Sequence, residues 1–152
     1  MLTRRFFLTT AAAAAPALAF VARPAMAAEP MVFSEGGIAI RGADPVAYFT
    51  EGAPVIGAAD HAVMWNGTTW HFASAANMEA FMANPEAYAP QYGGYCAWAV
   101  SQGYTAPIVP DAWTIHEGKL YLNFSQGVQR RWERDIAGHI AAADANWPTV
   151  LG

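Results

Sequence analysis

The 152-residue chain carries eight basic against twelve acidic side chains, a net charge of −4, with one cysteine and 13% aromatic residues. The acidic balance excludes the electrostatic footprint of a nucleic-acid binder, and a lone cysteine excludes an internal disulfide, so packing must hold the fold. Six tryptophans, six tyrosines and eight phenylalanines are ample material for the core of one domain.

Arg4 and Arg5 precede an apolar run from Phe6 to Val21 that is too short and alanine-rich for a good membrane anchor. The small-residue site Ala25-Met26-Ala27 follows at the distance expected for a signal peptidase. We expect a cleavable leader over 1–27, of twin-arginine type, and a single domain over 28–152 exported to the periplasm without a stable membrane anchor. An ordinary Sec leader that contains two arginines is the alternative. Loss of the leader removes Arg4, Arg5 and Arg23 and leaves five basic against twelve acidic side chains, net −7.

Glu29 to Gly37 reads as a lead-in, and Ile38-Ala39-Ile40 as a short strand ended by Gly42. Asp44-Pro45 has the form of a helix start, with a capping carboxylate and a proline where the missing donor is harmless; that helix should stop at Gly52. Ala53 to Asp60 is expected to be loop. Residues 61–65 and 68–73 flank Asn66-Gly67, which supplies the positive φ values of a two-residue hairpin turn. In the second arm Trp70 and Phe72 share one face, and His71 points away from them.

Ser74 caps a helix with an expected apolar stripe of Met78, Phe81 and Met82, and Pro85 to Tyr88 forms a further turn. Next comes Pro90 to Gly103, read as a helix from about Gly94 capped by Gly103, with Tyr92, Cys96, Ala99 and Val100 on one side. A second hairpin runs from Trp113 to Phe124 across Glu117-Gly118. Ser125 caps the last helix, whose stripe is Val128, Trp132, Ile136 and Ile140. These elements predict an α+β domain: a small antiparallel sheet built from two hairpins, several short helices and a longer C-terminal helix.

Asp44-Pro45-Val46, the run Asn66 to Ser74, Phe81 with Pro85-Glu86-Ala87-Tyr88, Gln91 to Ala97, and Gly118 to Asn123 occur in an order and spacing that resemble the YHS-domain family, in its exported form. The resemblance spans nearly all of 28–152. It implies a metal-handling module related to those of copper-transporting ATPases, in which cysteines supply soft ligands. Ala47, Ala73 and Asn77 stand at the positions those cysteines would take, and none of them can bind as a thiolate.

Cys96 therefore remains the sharpest candidate. A thiolate with imidazoles suits copper or zinc, so the expected ligands are Cys96 and His71, with His116 as a third. Alternatively, Cys96 is a small buried hydrophobe and His71 a strand residue facing solvent or a carbonyl. Tyr92, Gly93, Gly94, Tyr95 and Trp98 form a candidate binding surface, or else core and close backbone packing. His61 and His139 read as structural or solvated. No nucleophile, phosphate loop, dinucleotide fingerprint or acid–base pair is visible, so no enzymatic activity is expected. The expected function is soft transition-metal binding in the cell envelope; the alternative is a cofactor-free module for an unknown envelope protein.

Overall fold

A computed structural model describes residues 27–152. The leader expected over 1–27, including Arg4 and Arg5, lies outside the described residues except for Ala27. Among the described residues the strands are β1 (Ser34–Glu35), β2 (Ile38–Ala39), β3 (Ala58–Trp65), β4 (Thr68–Phe72), β5 (Trp113–His116) and β6 (Lys119–Leu122). The helices are α1 (Ala47–Thr50), α2 (Ala75–Ala83), α3 (Pro85–Tyr88), α4 (Ala97–Ser101), α5 (Gln126–Glu133) and α6 (Ile136–Asn146).

The α+β class holds, but the two hairpins do not share a sheet. One sheet has the order β1-β2-β4-β3 and the other is the hairpin β5-β6. The first is mixed, because β2 runs parallel to β4 through Ile38 and Thr69. The lead-in contributes β1, which pairs antiparallel with β2. Part of the expected 53–60 loop is strand: β3 starts at Ala58, and the register with β4 shifts between Ala58 and Ala62.

The β3–β4 turn has Asn66 at φ 52° and Gly67 at φ 77°, the left-handed pair that a two-residue hairpin demands. Along β4 burial alternates as period two requires, with Thr68, Trp70 and Phe72 buried and Thr69 and His71 half-buried. Trp70, Phe72 and Phe81 stack with ring centroids 5.1–5.4 Å apart, which ties α2 to the sheet. Only Phe81 of the expected α2 stripe is buried, and Met82 is 59% exposed.

The predicted last helix is two. Asp135 interrupts it, and its side chain accepts from the Gly138 N–H to start α6, so Val128 and Trp132 belong to α5, and Ile136 and Ile140 to α6. An unbroken i, i+4 stripe hides such a break, because the apolar phase resumes after the turn. α4 packs against both α5 and α6.

Candidate functional site

Two heteroatom clusters lie where sequence reasoning placed chemistry. The first is centred on Asp44, which is fully buried. Its Oδ1 accepts from the main-chain N–H groups of Val46 at 2.8 Å and Ala47 at 3.3 Å, the cap expected of an Asp-Pro helix start. Its Oδ2 accepts from the Ala73 N–H at 2.9 Å and the Asn77 Nδ2 at 2.7 Å. Ala47, Ala73 and Asn77 are the three positions at which the resemblance implies cysteines. The fold brings them together, but around a carboxylate with four donors instead of an ion. All of those hydrogens point inward at one carboxyl group, and no soft ligand is present, so these residues do not fit a soft metal.

The second cluster is built on Pro90 to Gly103. The expected helix from Gly94 is absent. Residues Gln91–Gly94 form a 3-10 turn with Tyr92 at φ 57°, Gly93 at φ 60° and Gly94 at φ 82°, and α4 starts only at Ala97 with Cys96 as its N-cap. Close approach explains the glycine pair. A Cβ on Gly93 would lie 1.9 Å from the Met31 carbonyl oxygen, and one on Gly94 would lie 2.6 Å from Ile40 Cγ2. The Phe33 N–H donates to the Gly93 carbonyl at 2.9 Å across this contact. Tyr92 and Tyr95 are buried; their hydroxyls donate to Asp144 Oδ1 at 2.9 Å and the Pro30 carbonyl at 2.8 Å. These four residues form a structural junction, of which Tyr92 and Gly93 also line one open pocket and Tyr95 another, and Trp98 alone of the expected surface set lines the cleft described next.

Cys96 is 1% exposed and free. Its Sγ lies 3.5 Å from Asn123 Oδ1, to which the thiol donates, and it accepts from the Phe124 N–H at 3.3 Å. Burial pushes the thiol above its ordinary pKa, and main-chain N–H groups of Ala99, Phe124 and Trp98 offset part of that rise. Asn123, also fully buried, accepts from the Trp98 N–H at 3.0 Å through the same Oδ1, while its Nδ2 has no partner. Above the sulfur opens an apolar cleft of about 220 Å³ lined by Cys96, Trp98, Ala99, Tyr104, Ala106, Phe124 and Val128. Tyr104 is 48% and Phe124 52% exposed at its rim.

Neither expected imidazole is a hydrogen-bond partner of the thiol. His71 stands on the outer face of β4 opposite Ala62, and Nδ1 lies 3.9 Å from where a Cβ on Gly42 would sit. His116 ends β5, with Nε2 3.9 Å from Glu117 Oε1. His139 Nδ1 lies 3.0 Å from the Trp132 carbonyl oxygen, a structural contact as expected. Among the described residues no group of three or more His, Cys, Asp or Glu side chains is arranged to hold a metal ion.

Sequence reasoning missed Asn123, Phe124, Tyr104 and Val128 as companions of Cys96. Only Asn123 left a trace, as an amide directly after the apolar run Leu120-Tyr121-Leu122.

Residues 46–92 match the YHS domain. The match is narrower than the resemblance first read over nearly all of 28–152. It takes in α1, the β3–β4 hairpin, α2 and α3, and includes the four residues that donate to Asp44, which itself lies two residues before the match. The Cys96 cleft lies outside this YHS segment. No curated protein and no solved structure matches the chain.

Proposed function

We propose that the protein is an exported, non-enzymatic binding module of the cell envelope that docks a partner through the apolar cleft over Cys96. One observation carries this reading: an open cleft floored by a thiol and walled by Trp98, Ala106 and Val128, with two half-exposed rings at its mouth. Apolar surface arranged as a concavity between α4 and α5 gains free energy when filled, roughly 25 cal/mol for each Å² removed from water. The raised pKa keeps the thiol neutral near pH 7, so the floor of the cleft behaves as apolar surface.

The test is titration of an environment-sensitive apolar dye into the purified protein and its Val128→Arg variant, which fills the cleft from a half-exposed helical position. Dye fluorescence should rise with the parent protein and not with the variant, at equal far-ultraviolet circular dichroism. Equal enhancement in both would place the apolar surface elsewhere.

A second reading is favoured by one observation, that Cys96 is among the residues lining an open cleft, together with the association of YHS domains with copper handling. In it a copper or zinc ion is held through Cys96 without His71 and His116, which are not grouped with it to hold a metal. Equilibrium dialysis separates the two readings: Cys96→Ser should abolish sub-micromolar copper binding, and His71→Ala and His116→Ala should leave it unchanged. Undiminished uptake by Cys96→Ser would remove the thiol from any site.

A further inference from the structure

Of the five basic side chains in residues 27–152, three lie on or at the end of α5: Arg130, Arg131 and Arg134, the others being Arg41 and Lys119. Arg41 is paired, with Nη2 2.9 Å from Glu35 Oε1, whereas among the described residues no carboxylate oxygen comes within 4.0 Å of the three α5 arginines. The acids nearest in sequence are engaged elsewhere. Glu133 Oε1 accepts from Thr114 Oγ1 at 2.8 Å, and Asp135 Oδ1 accepts from the Gly138 N–H at 3.0 Å.

At about 100° per residue, Val128, Arg131, Arg134 and Arg130 follow one another around the helix from the cleft outward, while Gln129 and Glu133 lie on the side that meets β5. The Gln129 amide bonded to the Trp113 carbonyl bears out that side. The Arg131 guanidinium lies over the Trp98 ring, 5.2 Å from its centroid, and so joins the basic face to the aromatic wall of the cleft. The result is one continuous surface with exposed Phe124 and Tyr104 beside three guanidinium groups that have no carboxylate partner among the described residues; of the twelve acidic side chains, Glu133 and Asp135 border this face and the other ten lie elsewhere in the sequence.

We propose that this surface seats the protein on an anionic lipid bilayer. Phe124 and Tyr104 enter the headgroup region, an acyl segment occupies the cleft, and Arg130, Arg131 and Arg134 hold lipid phosphates. The proposal rests on the docking reading of the cleft and names its partner. Aromatic rings flanked by arginines match the two layers of a bilayer interface, apolar below and phosphate above. Guanidinium is the cation suited to phosphate, because its planar fork bonds two oxygens at once. The remaining surface is acidic and is repelled by the same bilayer, so only this face can approach.

The experiment is co-sedimentation of the purified protein with phosphatidylcholine vesicles and with vesicles containing phosphatidylglycerol, at low and high salt. Binding should appear with the anionic vesicles, fall with salt, and be near background with phosphatidylcholine alone. Each arginine near the surface adds roughly a fivefold factor in partitioning, so Arg130→Gln with Arg134→Gln should weaken binding more than tenfold. Phe124→Ser should weaken it as well without unfolding the protein, because the Phe124 main-chain N–H that bonds Cys96 is retained.

Absence of sedimentation with anionic vesicles, equal sedimentation with both vesicle types, or an unaffected double-arginine variant would overturn the proposal. Binding of a soluble glutamate-rich peptide without vesicle binding would overturn it in favour of an acidic protein. In each case the dye titration shows separately whether the cleft itself binds: a dye-positive, vesicle-negative protein keeps the docking reading and loses the lipid.

Discussion

Asp44 and Cys96 are both buried and both stand just ahead of a short helix, yet their surroundings differ in kind. Asp44 is closed in by four N–H donors drawn from α1, the end of β4 and α2. Cys96 receives the Phe124 N–H and gives its hydrogen to Asn123, and the residue lines a cleft that opens between aromatic rings. A charged group cannot be left open to apolar surface and must be fully bonded, whereas a neutral thiol can face an empty apolar space at little cost. Asp44, two residues before the YHS match, is therefore the centre of a finished polar knot that joins three elements. The Cys96 cleft lies after that match in the chain.

The comparison breaks most sharply at the knot. Asp44→Ala strands four inward donors at once and should destabilise the protein by about 4 kcal/mol or more, measured by denaturant unfolding. A loss below about 1 kcal/mol would mean that the carboxylate does not join the elements.

A glycine pair sharpens it next. Gly93→Ala meets both a left-handed φ of 60° and a carbonyl oxygen 1.9 Å from the new Cβ, so it should cost about 3 kcal/mol. Gly103→Ala, at φ 91° with nothing within 4 Å, should cost only about 1 kcal/mol. Equal losses at the two sites would show that the Met31 contact contributes nothing.

The smallest expected effect is on pH. Burial raises the pKa of the Cys96 thiol and of the Tyr48, Tyr92, Tyr95 and Tyr121 phenols; the Asp144 carboxylate adds to the rise at Tyr92. In the unfolded chain these groups lose protons first, so the unfolded state binds fewer protons and gains relative stability as pH rises. Stability from these five groups is fully present below the ordinary thiol and phenol pKa values and is lost progressively above them. Thermal midpoints should be flat up to about pH 8 and fall beyond it. Cys96→Ala should remove only the earliest part of that fall.

Much of the fold was legible because the signals are local. Asn66-Gly67 dictated the hairpin, the Trp70 and Phe72 alternation chose the buried face of β4, and Ser74 and Ser125 cap α2 and α5 as their positions foretold, accepting from Asn77 and Val128 at 3.1 Å. Where a local signal was ambiguous the reading failed. The repeat through Val128, Trp132, Ile136 and Ile140 concealed the break at Asp135, and Tyr92 to Gly94 form a left-handed turn that helical spacing cannot reveal.

Residue types and short-range spacing thus determined the two hairpins, most caps, the α+β class and the likeness to the YHS family, because each depends on atoms a few bonds apart. Tertiary structure decided which side chains meet. The outer two donors to Asp44 lie 29 and 33 residues away, and the amide beside Cys96 lies 27 residues away. Contacts of that span arise only when the whole core closes and the same burial that excludes water chooses the partners, a choice no local stretch of sequence can record.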